Sequence, residues 1–399
     1  MSLDRAIVRG VAGRALFLAL LLIAGCGPAA APARPAETPV GAAEHPVAPA
    51  AAPTTAPAAQ PAASPAAAAP ASKPAGPAVD RAKVEADAKA EGKLTWYTSA
   101  DLPPAQALAK AFEAKYGISV EVVRTGSEAL FSRYMKEIGS NIHTPDVIHT
   151  SDESNFLELK EKGLLAPWTI ADADKLDPKL KDKLADPDGM YYTVRMSVIA
   201  LAYNTDVIPA GQGPRTWQDA VDPKYQGKIV HGHPGYSGAI LTGMTWLSEK
   251  YGWGYYENLA KLEPMIVQSA IDVAKTIANG ERGMALASLD YNFWQRKAEG
   301  APLEVVYPSE GVPQINSPQA VLKQAPHPNA ARLFQDYCFT LEAQQLLVDQ
   351  HKIISPRTDV KYGGDRPGLE QMNVVSVDVR KVMTGRKQIQ DKFTDIFGV

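Results

Sequence analysis

The chain has 399 residues and a formal net charge of −3. This mildly acidic balance argues against a nucleic-acid partner, which needs a strongly basic surface. Residues 80–399 are long enough to form two lobes with separate hydrophobic cores.

Residues 1–25 have the pattern of a signal peptide. Three arginines precede an apolar run at 15–23, which is shorter than the roughly 20 residues that a membrane-spanning helix needs. The small residues directly before Cys26 resemble the lipobox of bacterial lipoproteins. This resemblance implies that Cys26 is acylated and becomes the mature N-terminus. The alternative is an ordinary cleaved signal peptide with an incidental cysteine.

Residues 26–79 combine the predicted lipidated cysteine with a segment that is almost entirely alanine and proline. Such a composition buries too little apolar surface to offset the loss of chain entropy, so we predict a disordered linker. Its repeated prolines favour extended polyproline II, which makes a semi-rigid spacer. The predicted location is the periplasm or the cell surface, with the folded domain at 80–399 anchored to a membrane by lipid.

Cys338 has no disulfide partner if Cys26 carries lipid, because the chain has only 2 cysteines. It lies in a stretch with helical periodicity of apolar residues. We therefore predict a small buried hydrophobic residue rather than a reactive thiol.

The first part of the folded region alternates strands and helices. Short apolar strands are predicted at 94–97, 118–122 and 146–149, and a helix with periodic apolar residues follows each of them. This order predicts a mainly parallel sheet with helices on both faces. An extended run at 193–203 leads into a second α/β segment, and a strand at 303–307 is predicted to return toward the first lobe.

Loops rich in hydroxyl groups follow the first three predicted strands. Open sheets of this kind bind ligands beyond the carboxyl ends of their strands, where these loops meet in one rim. The candidates that the loops supply are Ser99, Asp101, Ser127, Ser151 and Asp152. The alternative is that each of these side chains only caps a helix.

Several short motifs extend this pattern over residues 93–399. They include AFEAKYGI at 111–118, PDV at 145–147, GLLAP at 163–167, AYNT at 202–205, ANGE at 278–281 and ISPR at 354–357. In the order and spacing of these motifs, the chain resembles the substrate-binding proteins of bacterial ABC importers, of the ferric-ion-binding type.

The resemblance implies an α/β fold of the two-lobe, type II periplasmic binding protein kind. Each lobe is expected to be a mainly parallel sheet flanked by helices, and crossover strands join the lobes. Lobe 1 is expected at about 92–195 and 308–355, and lobe 2 at about 196–307, with helices from 356–399 packing on it. Such proteins close on a small ligand and pass it to a permease that an ATPase drives. We expect a monomer without a cofactor.

In ferric members of this family, iron is held by a ligand after the first strand, an acidic ligand after the third and two adjacent tyrosines. The matching positions here are Asp101, Ser151, Asp290 and Tyr291. One tyrosine is thus an aspartate and the acidic ligand is a serine, so we predict that no metal is bound. If the protein does take ferric iron, the expected ligands are Asp101, Asp290 and Tyr291, since oxygen donors suit this hard cation.

The family's anion-binding turn is better preserved and corresponds to residues 237–239, at the start of a predicted helix. Free backbone N–H groups and the helix dipole attract an anion there. Arg195 is the predicted clamp on a carboxylate or phosphate, with a surface or interlobe ion pair as an equal alternative. The candidates from this half of the chain are Arg195, Tyr203, Ser237, Gly238, Ala239, Ser288, Asp290 and Tyr291.

The predicted function is the capture of a small anionic solute (an organophosphate, phosphonate or carboxylate) by a lipoprotein of an ABC importer. Ferric-iron binding and a ligand-presenting module of a membrane sensor remain open alternatives. An enzyme on the same fold is not expected, because no G-x-S-x-G, paired nucleophile or metalloprotease motif occurs. His231 and His233 form a His-x-His pair, which we interpret as turn and strand-end polar groups.

Overall fold

The computed structural model describes residues 79–399 of the chain. The predicted signal peptide, the lipidated Cys26 and almost all of the predicted linker lie outside the described residues. Within 79–399, no helix has both the length and the apolar character needed to cross a bilayer.

Helices and strands alternate along most of the described chain. The α-helices are α1 (Arg81–Glu91), α2 (Leu102–Tyr116), α3 (Ser127–Gly139), α4 (Glu153–Glu161), α5 (Lys181–Leu184), α6 (Gly238–Tyr251), α7 (Gly254–Lys261), α8 (Ala270–Ala278), α9 (Asp290–Ala298), α10 (Pro328–Cys338), α11 (Leu341–His351) and α12 (Val379–Phe397). The strands are β1 (Lys93–Thr98), β2 (Ser119–Arg124), β3 (Val147–His149), β4 (Tyr192–Asn204), β5 (Ile229–Gly232), β6 (Met265–Val267), β7 (Met284–Leu289), β8 (Leu303–Val306), β9 (Val312–Val321) and β10 (Val374–Val375). Short 3₁₀ helices lie at Ala173–Lys175, Asp219–Val221, Pro223–Tyr225 and Leu369–Gln371.

The strands follow the order β2-β1-β3-β9-β4-β7-β5-β6, with β8 on β4 and β10 on β9. β1 pairs in parallel with β2 and β3, and β5 pairs in parallel with β6 and β7. Two groups of parallel strands therefore lie on either side of β9 and β4. We call the side with β1, β2 and β3 lobe 1, and the side with β5, β6 and β7 lobe 2.

β4 and β9 are the crossover strands that join the lobes. Every residue of β4 is buried; residues 192–198 of it pair antiparallel with β9, and residues 199–204 pair with β7 and β8. β9 then returns the chain to lobe 1, where it pairs with β3. The prediction that 303–307 makes this return was wrong, because that segment is β8, which pairs with the end of β4 inside lobe 2.

The core of lobe 1 is built from helices that pack on its parallel strands. Phe112 of α2 is fully buried and meets Phe334 of α10 edge-on, with 5.1 Å between ring centroids. Gly117 ends α2 at a φ of 71°, a left-handed conformation that glycine adopts without strain. Cys338 of α10 is fully buried, so the prediction of a small buried residue is confirmed, and burial raises its pKa to about 12, which disfavours the reactive thiolate.

The C-terminal helix α12 lies across both lobes. It packs against α4 of lobe 1 and against α6 and α7 of lobe 2. Its Phe393 stands edge-on to His233 with 4.9 Å between centroids, and its Phe397 stacks on His231 at 6.5 Å. The two histidines thus pack against aromatic rings of α12. The sequence assigned this segment to lobe 2, and the structure adds its contacts with lobe 1.

Candidate solute-binding cleft

Three serines from three strand-end loops of lobe 1 converge at the cleft. Ser99 follows β1, Ser127 opens α3 after β2, and Ser151 follows β3. The backbone N–H of Ser151 donates to Ser99 Oγ (3.0 Å) and to Ser127 Oγ (3.1 Å), and the hydroxyls of Ser127 and Ser151 are 2.8 Å apart. All three side chains are buried. Parallel strands therefore bring these predicted hydroxyls to one rim.

A chain of hydrogen bonds links the crossover strand to both lobes. Arg195 on β4 donates from Nη1 to the hydroxyl of Tyr291, at the start of α9 (2.8 Å). That hydroxyl donates in turn to Oδ1 of Asp101, which precedes α2 (3.3 Å). Arg195 and Asp101 are each 5% exposed. The structure thus brings together a cation, a phenol and a carboxylate that the sequence had proposed separately.

His149 positions Arg195 and was missed by the sequence analysis. Arg195 Nε–H donates to His149 Nε2 (3.4 Å), while His149 Nδ1 lies 2.8 Å from Thr98 Oγ1. Burial, and then the charge of Arg195, lower the pKa of His149 well below its ordinary range. The ring is therefore neutral at pH 7, with Nε2 free to accept. The available signal was its place as the last residue of β3, next to the rim.

The charges of the cleft come from two arginines and one carboxylate. Arg124, at the end of β2, lines the cleft and was also missed by the sequence analysis. Burial raises the pKa of the Asp101 carboxyl, and the charges of Arg195 and Arg124 lower it in part. Burial also raises the pKa of Tyr291 to about 12, so its hydroxyl keeps its proton at neutral pH.

The start of α6 forms the wall that lobe 2 contributes. Ser237 is the N-cap of α6, and its Oγ accepts from the backbone N–H three residues on (3.4 Å). Gly238 and the buried Ala239 form the first turn, whose leading N–H groups have no partner within the helix. A β-carbon at Gly238 would come within 2.4 Å of Asp152 Cβ and 3.2 Å of Ser127 Cβ. Only glycine allows the lobes to approach this closely.

The cavity between these walls is small. Its volume is about 20 Å³, which holds about one water molecule. Ser269, which precedes α8, lines it together with Ser237 and the lobe 1 groups described above. The cleft is therefore closed in this structure, and a larger solute requires the lobes to separate.

Asp290 does not join the hydrogen-bond chain that its neighbour Tyr291 forms. Its fully buried carboxylate accepts from Arg366 Nη2 (2.7 Å) and from the Tyr307 hydroxyl (3.0 Å). Of the three oxygen ligands expected for ferric iron, only Asp101 and Tyr291 are in contact.

Three further candidates have local partners. Ser288 Oγ–H donates to a backbone carbonyl at the start of α8 (3.1 Å). Asp152 caps α4, because its carboxylate accepts from the backbone N–H of Ser154 (2.9 Å). This agrees with the alternative that the side chain only caps a helix. Tyr203 lies near the end of β4 and donates its hydroxyl hydrogen to Glu304. None of these three residues is among those that line the cavity.

Comparisons with known proteins agree with this architecture. The chain matches the model of a family of bacterial extracellular solute-binding proteins over residues 143–378. An uncharacterized protein of Haemophilus influenzae is 26% identical over 270 residues, which cover 66% of this chain and 77% of that relative.

Solved structures of other binding proteins share the fold. The periplasmic binding protein AfuA from Actinobacillus pleuropneumoniae, with exogenous fructose 6-phosphate bound, has a TM-score of 0.71 and 25% identity, over 77% of this chain and 99% of AfuA. Iron-bound HitA from Pseudomonas aeruginosa has a TM-score of 0.65 and 23% identity, over 76% of this chain and 99% of HitA. These likenesses confirm the predicted two-lobe α/β fold.

Proposed function

Because the chain belongs to the family of bacterial extracellular solute-binding proteins, we propose that it captures a small phosphorylated organic solute for an ABC importer. The resemblance to substrate-binding proteins of such importers, drawn above from short motifs, is confirmed at the level of the family. The choice of solute is carried by one observation: Arg195 is buried in the cleft with a neutral imidazole and a neutral phenol as its side-chain partners.

A buried guanidinium is costly unless an anion compensates its charge. Arg195 donates one hydrogen bond from Nε to His149 and one from Nη1 to Tyr291. Its remaining N–H groups are therefore available to a ligand. An interlobe ion pair would require a carboxylate within hydrogen-bond distance of the Arg195 guanidinium. The group that lies there is instead the Tyr291 hydroxyl, 2.8 Å from Nη1. Arg195 is therefore a proposed clamp for a bound anion.

The walls of the cleft supply neutral donors beside the arginine. The hydroxyls of Ser99, Ser127 and Ser151 lie on one side, and Ser237 with the first turn of α6 lies on the other. A tetrahedral phosphate presents several acceptor oxygens, and this distribution of donors suits it better than it suits a planar carboxylate. AfuA, which is 25% identical and was solved with fructose 6-phosphate, supports the same choice.

The closed cleft fits the working cycle that we propose. A cavity of about 20 Å³ cannot admit a sugar phosphate, so the lobes open to bind it and close around it. The closed form then delivers the solute to a permease and its ATPase. The proposed anchor to the membrane is the lipid predicted on Cys26.

Ferric iron as the cargo is the alternative within the same family. It would need Tyr291 as a phenolate, whereas burial raises its pKa to about 12 and its hydroxyl accepts from Arg195. It would also need Asp290 to leave Arg366. Both requirements weigh against iron, so we favour the anion.

The test is calorimetric titration of the protein with fructose 6-phosphate and with inorganic phosphate. We expect Arg195→Met to weaken the binding of either compound about 10- to 100-fold, as for the loss of a charged hydrogen-bond partner. Arg133→Met is a suitable control, because Arg133 is a half-exposed residue of lobe 1 paired with Glu137. Coloured ferric binding without any phosphate binding would refute the proposal.

A further inference from the structure

We propose that Asp101 makes the cleft select an anion that shares a proton with it, so that phosphate is accepted and sulfate is rejected. This inference rests on the anion-binding function proposed above and specifies the chemistry of the anion. The proposed anion binding does not by itself explain the presence of Asp101. An acidic side chain stands in a pocket whose other groups attract negative charge.

The position of Asp101 carries the inference. It is 5% exposed and lines the cavity together with Arg195 and Arg124. Its Oδ1 accepts from Tyr291, and within residues 79–399 no hydrogen bond is made to its Oδ2. Asp101 is also the N-cap of α2, yet its side chain makes no capping hydrogen bond. The carboxylate is therefore available to a ligand and has no evident role in holding the helix.

The chemistry follows from what a carboxylate can do. An ionised carboxylate only accepts hydrogen bonds, so beside a bound anion it faces another acceptor. Two negative oxygens at hydrogen-bond distance in a buried site share one proton rather than both staying ionised.

Phosphate and sulfate differ in this proton. Near pH 8, inorganic phosphate is mainly a dianion that still carries one P–OH group, and this group donates to Asp101. Sulfate is a dianion of the same tetrahedral shape with no proton to donate. A phosphate monoester, whose second pKa is about 6, takes up a proton from solution as it binds, whereas sulfate is too weak a base to hold one. Asp101 thus excludes sulfate, because the carboxylate and a sulfate oxygen would face each other with no proton between them.

The first experiment titrates the whole protein with phosphate and with sulfate at pH 8. We expect phosphate to bind at least about 10-fold more tightly than sulfate, the loss typical of an unsatisfied charged group. In Asp101→Asn, the amide donates to either ion, so the two affinities should become nearly equal. Asp87→Asn is the control, because Asp87 is a partly exposed acid of α1 that pairs with Lys83 and does not line the cavity.

The second experiment titrates fructose 6-phosphate at pH 8 in two buffers of different ionisation enthalpy. We expect the wild type to take up about one proton on binding and Asp101→Asn to take up almost none. An unchanged unfolding temperature in Asp101→Asn would confirm that the fold is intact.

The outcomes separate the two proposals. Equal affinity of the wild type for phosphate and sulfate, or a preference that Asp101→Asn leaves intact, overturns the role of Asp101 alone. The same holds for binding of the sugar phosphate without proton uptake. If the wild type binds none of the three compounds (phosphate, sulfate and fructose 6-phosphate), the anion-binding function itself is overturned.

Discussion

Arg386 of α12 lies 3.1 Å from Glu128 at the start of α3, and this contact ties α12 to lobe 1 next to Ser127, which lines the cleft. The same guanidinium is 3.0 Å from Glu158 and donates to Asn155 (2.7 Å). Burial raises the pKa of Glu128 well above its ordinary range, Asp152 adds to this, and Arg386 opposes it. Arg386 therefore offsets buried negative charge close to a pocket proposed to hold an anion.

Replacing Arg386 tests this contact. We expect Arg386→Gln to lower the free energy of unfolding by about 2–4 kcal/mol, because the substitution leaves buried carboxylates without their counter-charge. Adding Glu128→Gln to the same protein should recover part of the loss. Arg380→Gln is the control, since Arg380 is 61% exposed in its pair with Glu161 and should cost less than about 1 kcal/mol. Denaturant unfolding measures all three, and equal losses in the two single variants would contradict a special role for Arg386.

Gly238 controls how closely the lobes approach. We expect Gly238→Ala to hold the cleft partly open, because the added methyl group would meet Asp152 Cβ at 2.4 Å. Small-angle scattering should give a larger radius of gyration than for the wild type, and binding of fructose 6-phosphate should weaken. Gly254→Ala is the matched control, since Gly254 is also the first residue of a helix but has no atom within 4 Å of an added β-carbon. A Gly238→Ala protein as compact as the wild type would contradict the proposed contact.

Glu153 gives the stability a defined pH dependence. Burial raises its pKa from 4.5 to about 7, although a hydrogen bond from Asn316 (3.0 Å) opposes this. Between pH 4.5 and 7, the carboxyl is ionised in the unfolded chain but protonated in the folded one. Raising the pH through this window therefore favours unfolding, and the loss is complete above pH 7.

We expect Glu153→Gln to lack the loss of stability between pH 4.5 and 7, because glutamine does not ionise. Thermal unfolding followed at several pH values between 4 and 8 measures it. Glu257→Gln, at an exposed position of α7, is the control and should keep the wild-type profile. A Glu153→Gln profile that still falls as steeply as that of the wild type would contradict the assignment to Glu153.

The strand-end rim was the part of the candidate site that the sequence could predict. Alternation of strands and helices determines that Ser99, Ser127 and Ser151 follow parallel strands, and parallel strands end on the same edge of a sheet. Arg195 was also predictable as a site candidate, because it lies on the extended run that became β4. The rim serines needed only local periodicity and the order of the elements, whereas Arg195 also rested on the crossover strand that the family resemblance implies.

The directions of side chains at the start of α9 were not predictable. Asp290 and Tyr291 are neighbours, and successive residues of a helix point about 100° apart. Tyr291 therefore reaches Asp101 in the cleft, while Asp290 meets Arg366, a residue 76 positions away in the chain. The contacts of α12 with lobe 1 were not predictable either. They depend on how this helix packs against elements that are distant in the sequence.

His149 offers a test of how Arg195 is held. His149→Leu removes the acceptor of Arg195 Nε–H, so the guanidinium loses one of the two contacts that orient it. We expect binding of fructose 6-phosphate to weaken about 10-fold, the effect of losing one hydrogen bond to a charged group. His149→Gln supplies a carbonyl oxygen as a new acceptor and should keep most of the affinity, although both variants remove the ring that packs on Trp96. If the two variants bind equally weakly, packing of the ring rather than its hydrogen bond orients Arg195.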